Sequence, residues 1–287
     1  MTDRLEVRKT YKLFIGGAFP RSESGRTYEV LAADGSFLAN AALASRKDGR
    51  NAVVAARKGF ASWSGATAYN RGQVLYRVAE LMEGRRDQFV AEVASAGVSA
   101  DQAVAEVDAA IDLWVWYAGW TDKLAQVLGS ANPVAGPYFN FSLPEPTGVV
   151  VAVAPDRTPL LGLVAVVAPA LAAGNAVVAL ASTSAPLPAI TLTEVLATSD
   201  VPGGVVNVLT GRQEEILPWL ASHADVDGLD LAGVTDSDLA TSLEAEAAGT
   251  LKRVRGPRPH QDWAAAPGLA PLRAFVETKT VWHPQGV

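Results

Sequence analysis

From residue 149 onward, short apolar runs alternate with helix-length segments, and this pattern constrains the fold more than any other feature. Apolar runs at 149–153, 176–180, 205–209 and, more weakly, 228–231 and 251–254 read as strands. Helical patterns at 158–173, 186–198, 212–222 and 235–248 separate them. Strands apolar on both faces must be covered on both faces, and a helix between successive strands is the connection a parallel pair needs. The expected fold class is therefore α/β, with a Rossmann-like parallel sheet. Residues 160–181 are apolar except for Asn175, and about twenty such residues could span a membrane. Pro169 and the Gly174-Asn175 pair divide the stretch, so a buried helix followed by a central strand is expected, with no membrane partner.

The first half reads differently. Residues 11–45 hold short β-like pieces, with turns at Ile15-Gly16-Gly17 and Ser22-Glu23-Ser24-Gly25. Residues 47–127 are Ala-rich and helical. Val104, Val107, Ile111, Trp114, Val115 and Ala118 recur every three or four positions and form one apolar stripe, with Asp101, Glu106, Asp108 and Asp112 mostly off it. Residues 129–146 read as a loop and a β-ribbon, 256–272 as a Pro-, Gly- and Arg-rich loop, and 273–282 as a further strand. Trp63, Trp114, Trp116 and Trp120 are expected to pack. Asp236 and Asp238 are expected to cap a helix, and the basic run Lys252, Arg253, Arg255 and Arg258 to form a solvated loop, with phosphate binding as the alternative. The charged start, 1–11, has no apolar core, which points to a cytoplasmic protein.

Among the 287 residues there is no cysteine, so thiolate nucleophiles, Cys-zinc sites and disulfides are excluded. No carboxylate cluster has a metal-loop spacing, so no metal site is expected. The net charge of −6 argues against nucleic acid, which requires a basic face. His223, His260 and His283 have no neighbours that would make a serine nucleophilic and are expected in turns or on the surface.

Several segments resemble the aldehyde dehydrogenase superfamily in order and spacing. They are FIGGAFPRSESGRTYEV (14–30), FASWSG (60–65), WYAGWTDK (116–123), EPTGVVVAVAP (145–155), ALAAGNAVV (170–178), PGGVVNVLTG (202–211) and SHADVDGLDLAG (222–233). VETKTVW (276–282) resembles the strand near the family's C-terminus. The resemblance implies a nucleotide-binding domain over 1–133 and 148–255 and oligomerisation-arm strands over 134–147 and 273–287. A loop, 256–272, stands where the family has its catalytic domain.

The family's chemistry runs through a thiolate and NAD(P), and its motifs are altered here. Pro-Trp-Asn-Phe-Pro, whose Asn serves the oxyanion, becomes Pro155-Asp156-Arg157-Thr158-Pro159. Loss of such a donor costs about 2.7–4 kcal/mol of transition-state stabilisation. Lys-Pro-Ser-Glu, which holds the adenosine ribose, becomes Leu180-Ala181-Ser182-Thr183. Two lost charged hydrogen bonds cost roughly 3–6 kcal/mol. The glycine-rich start Thr-Gly-Ser-Thr-Glu-Val-Gly becomes Ala232-Gly233-Val234-Thr235-Asp236-Ser237-Asp238, and Gly211-Arg212-Gln213 lacks the family's second glycine. Leu-Glu-Leu-Gly-Gly, with its general base, becomes Arg255-Gly256-Pro257-Arg258-Pro259.

No catalytic or cofactor-binding residues are therefore assigned, and NAD or NADP is expected to bind weakly if at all. The resemblance implies a catalytically deficient scaffold or regulatory subunit assembling with a full-length aldehyde dehydrogenase. Tyr138, Phe139, Phe141, Phe275, Val281 and Trp282 are the interface candidates. Two alternatives stay open: activity restored by a partner that supplies the catalytic Cys, and a module for another ligand in the cleft, where Arg157 could meet an anion.

Overall fold

A computed structural model describes residues 9–286. Most of the charged start read from the sequence, and the last residue of the expected arm, lie outside them. Three strands open the chain: β1 (Thr10–Tyr11), β2 (Thr27–Leu31) and β3 (Phe37–Ala42). They form a small sheet in the order β1-β3-β2. Gly16 and Gly17 both adopt positive φ, and the Ile15 amide donates to the Ala18 carbonyl at 3.0 Å, which makes the expected turn.

Five helices follow: α1 (Arg46–Gly65), α2 (Ala68–Glu83), α3 (Arg86–Ala94), α4 (Ala100–Trp120) and α5 (Leu124–Leu128). Ser45 caps α1 and Ser99 caps α4, each in a reciprocal capping box. The α4 stripe buries Val107, Ile111 and Trp114 as expected. Trp63 is buried as well, and its indole N–H donates to the Leu171 carbonyl at 2.9 Å. Strands β4 (Ser130–Asn132) and β5 (Tyr138–Pro146) form the ribbon.

The alternating segment then runs β6 (Val149–Val153), α6 (Leu161–Ala172), β7 (Ala176–Leu180), α7 (Leu187–Leu196), β8 (Val206–Leu209), α8 (Gln213–Ser222), β9 (Gly228–Asp230), α9 (Ser237–Ala248) and β10 (Arg253–Arg255). The five strands are all parallel, in the order β10-β9-β6-β7-β8. Every residue of β6, β7 and α6 is buried, as continuous apolar strands require. Helix α6 packs against α4 and thereby joins the sheet to the helical layer. No described helix is long and apolar enough to cross a membrane.

The C-terminal region departs from the expected loop and strand. Residues Ala270–Arg273 form a short helix, α10, with Pro271 in its first turn, where proline's missing N–H costs nothing. The last strand, β11, starts at Val276 rather than 273 and runs to Pro284. It pairs antiparallel with β5 along its whole length, from Val276 opposite Pro146 to Pro284 opposite Tyr138. With β4 these strands make a third sheet, in the order β11-β5-β4.

Candidate functional site

In an open parallel sheet, ligands enter at the C-terminal strand ends where the strand order reverses. Here the chain leaves β6 toward β7 on one side and later returns to β9 on the other, so the reversal lies between β6 and β9. Residues 154–158 follow β6 and residues 231–235 follow β9. The two turns touch: a Cβ on Gly233 would stand 2.1 Å from the Ala154 carbonyl oxygen. Only glycine permits that approach. The adjoining cavity, about 570 Å³, is lined by both turns and by Arg258, His260 and Trp263 of the segment after β10.

Several groups around these strand ends are already engaged. The Asp156 carboxylate accepts from the Ser182 hydroxyl at 2.6 Å and from the Thr183 amide at 2.9 Å, tying the end of β6 to the end of β7. The Gln213 side-chain amide donates to the Gly233 carbonyl at 3.1 Å, joining the start of α8 to the turn before α9. Asp236 caps α9, its Oδ1 accepting from the Asp238 and Leu239 amides at 2.9 and 3.2 Å. The free amides of that helix start thus meet a carboxylate of the chain itself, with Asp238 beside it.

The basic run is not a solvated loop. Arg253 and Arg255 lie in β10, paired to β9. Arg255 and Arg258 reach back to Asp230, which is 1% exposed, at 3.0 and 2.5 Å. Burial pulls the Arg255 guanidinium below its ordinary value, and Asp230 beside it pulls back. Arg253 instead pairs with Glu277 of β11 at 2.7 Å, and Lys252 donates to the Thr250 hydroxyl. Sequence reading missed this because Asp230 precedes Arg255 by twenty-five positions, and only the pairing of β9 with β10 brings them together.

Glu106 was also misplaced by periodicity. It is buried, and its Oε1 accepts from the Leu160 and Leu161 amides at 2.9 and 3.2 Å. It caps α6 from a neighbouring helix, where the sequence offers no Ser, Thr, Asp or Asn at the local cap position. Burial raises its carboxyl, and the two backbone donors oppose that rise.

The arm holds five of the six interface candidates, divided between its faces. The β5–β11 register puts Phe139, Phe141 and Val281 on one face, together with Leu143. Phe139 is 48% and Leu143 40% exposed, and the Phe139 and Phe141 rings lie 5.4 Å apart. Tyr138 and Trp282 lie on the other face, edge to face at 5.8 Å and both exposed near the tip. On that face Asn132 donates to Asn140 at 2.6 Å and to Ser142 at 2.9 Å, and the Ser142 and Thr280 hydroxyls are 2.9 Å apart. Phe275 corrects the expectation, because it lies before β11 and is only 2% exposed. Its ring covers Gly228, where a Cβ would come within 2.7 Å. Its carbonyl accepts from the buried Asn175 side chain at 2.9 Å, so Phe275 anchors the arm to its own sheet. His260 and His283 are exposed, as expected; His223 is half-buried, with its ring edge-on to Trp219 at 4.7 Å.

Comparison with known proteins gives one consistent match. Residues 19–255 match the sequence model of the aldehyde dehydrogenase family. The cytosolic 10-formyltetrahydrofolate dehydrogenase of Pongo abelii is 36% identical over 239 residues, covering 80% of this chain and 26% of that protein. The mitochondrial benzaldehyde dehydrogenase of Antirrhinum majus is 34% identical over 248 residues, covering 85% and 46%. Among solved structures, the NAD+ complex of an aldehyde dehydrogenase from Bacillus cereus superposes with a TM-score of 0.81 at 28% identity, covering 86% of this chain and 50% of that one. The chain thus spans about half or less of the length of these proteins.

Proposed function

The chain belongs to the aldehyde dehydrogenase family, and from that premise we propose that it is a catalytically deficient member that assembles with a full-length aldehyde dehydrogenase as a scaffold or regulatory subunit. The observation that carries this reading is the connection between β10 and β11. Only residues 256–275 lie between the nucleotide-type sheet and an arm strand paired over its full length. The chain also has no cysteine to attack a carbonyl.

The strand-end cleft supports the same reading. A dinucleotide needs free helix amides and room along the strand ends. Here Glu106 takes the amides at the start of α6 and Asp236 those at the start of α9, while Asp156 and Gln213 tie neighbouring strand-end loops together, which supports weak or no binding of NAD or NADP. What persists is an arm with an open edge strand and a partly apolar face. An uncovered edge invites pairing with another chain, and such pairing draws affinity from main-chain hydrogen bonds.

The test is co-purification of the full chain with a full-length aldehyde dehydrogenase from the same source, followed by mass measurement of the assembly. Replacing Phe139 and Trp282 together by alanine is expected to weaken the complex and leave the thermal midpoint of the free chain unchanged. A chain that stays a soluble monomer and shows no affinity for any full-length member would defeat the proposal. So would robust aldehyde turnover by the purified chain alone.

A further inference from the structure

The roughly 570 Å³ cavity at the strand reversal carries more positive charge than its surroundings use. Asp230 is one carboxylate held between two guanidiniums, Arg255 and Arg258, which leaves one positive charge unmatched. Arg258 lines the cavity, lies 5.5 Å over the Trp263 ring, and keeps a buried Nε with no hydrogen-bond partner among the described residues. Arg157 and His260 also line the cavity, and among the described residues neither has an ion pair or hydrogen bond. Among the described residues the only carboxylate in the lining is Asp156, and its Oδ1 is held by Ser182 and Thr183. Thr158, also in the lining, has a buried hydroxyl without a partner among the described residues.

Charge of one sign gathered in a concave, low-dielectric site attracts the opposite charge, and guanidinium forks match phosphate oxygens. We propose that this cavity binds a small phosphate-bearing molecule, its phosphate held by Arg157, Arg258 Nε and His260 and its body resting on Trp263. The contacts of Asp156 with Ser182 and Thr183, and of Gln213 with Gly233, cross the strand ends and favour a compact ligand over a dinucleotide. One wall is built from residues 258–263, which follow β10, so the site depends on this chain's own short connection between β10 and β11. The proposal is independent of assembly with a dehydrogenase: the isolated chain can bind phosphate whether or not it has a protein partner.

The test is calorimetric titration of the full chain with inorganic phosphate, pyrophosphate and NAD+ at low ionic strength. Phosphate and pyrophosphate are expected to bind saturably, with a dissociation constant below about 1 mM. Arg157 is exposed, so Arg157→Gln is expected to keep the thermal midpoint while weakening both anions about tenfold or more. His260→Asn is expected to weaken them less, and Lys279→Gln, on the arm, to leave binding unchanged. The proposal is overturned if neither anion binds, or if Arg157→Gln binds them as tightly as the unaltered chain. It is also overturned if NAD+ binds at low-micromolar concentration and displaces phosphate, since the cleft would then be a dinucleotide site.

Discussion

Asp230 shows how much can depend on one side chain. Its carboxylate is buried, accepts from the Ala232 amide at 3.1 Å and holds Arg255 and Arg258. Asp230→Asn would remove the charge that compensates both guanidiniums and cost about 3–5 kcal/mol, the range for breaking a buried ion pair. Urea unfolding would measure that loss. Arg253→Gln would cost no more than about 1 kcal/mol, because Arg253 and Glu277 pair in the open. Glu92 gives a pH-dependent counterpart. Its Oε1 accepts from Tyr11, Thr191 and Gln88 at 3.1, 2.8 and 3.3 Å, whereas Oε2 is buried without a partner among the described residues. Burial raises its carboxyl above the ordinary 4.5, against the pull of Thr191 and Gln88. A carboxyl raised on folding binds its proton more tightly in the folded state. Its stabilising contribution is therefore complete below 4.5 and is lost as pH rises through the raised value. Glu92→Gln would then flatten the fall in thermal midpoint as pH rises above 4.5, while Glu106 contributes in the same direction. Neither Asp230 nor Glu92 was legible in the sequence, because their partners come from distant segments that only the folded sheet and helices bring together.

At the scale of elements, the sequence was most readable where one physical constraint dominated. Five parallel strands needed apolar runs of the right length, and β6, β7, β8 and β9 fall within a residue of the runs that suggested them. The last strand was less readable. The run at 251–254 overlaps β10 only at Arg253 and Val254, because Leu251 adopts positive φ and is 91% exposed in the turn before it. The short α10 was hidden because Pro271 reads equally as a loop residue and as a first-turn helix residue. Glu106 escaped because a cap supplied by another helix leaves no signature beside the helix it caps. Glu106→Ala would strand two buried amides of α6 and cost about 1–3 kcal/mol, measurable by thermal or urea unfolding. Helix α1 rests on the sheet just as closely. A Cβ on Gly59 would stand 2.6 Å from the Gly204 carbonyl carbon and the Val205 amide nitrogen, backbone atoms that lead into β8. Gly59→Ala would gain helix propensity, yet the contact would push α1 off the sheet, for a net loss of about 1–3 kcal/mol in the same assay.

For the whole molecule, the question is what holds the arm in place and what the arm is for. Asn175, fully buried in the turn between α6 and β7, answers the first part. Its side chain accepts from the Gly148 amide at 2.9 Å at the entrance to β6 and donates to the Ala170 and Phe275 carbonyls at 3.1 and 2.9 Å. One amide group thus joins the end of a core helix, the start of the central strand and the root of β11. The arm is set at a fixed place on the body, which is what the proposed strand addition to a dehydrogenase subunit would require of it. Asn175→Ala and the Phe139/Trp282 double alanine variant should therefore fail differently. The first leaves buried donors and acceptors unpaired, so it should lower the thermal midpoint and weaken assembly together. The second alters only exposed side chains, so it should weaken assembly alone. Light scattering of each variant mixed with a full-length dehydrogenase, set beside its melting curve, separates the two effects. If the double variant still assembled normally, the arm faces would be excluded as the interface, and the acidic outer face of α9, carrying Asp238, Glu244 and Glu246, would be the next surface to alter.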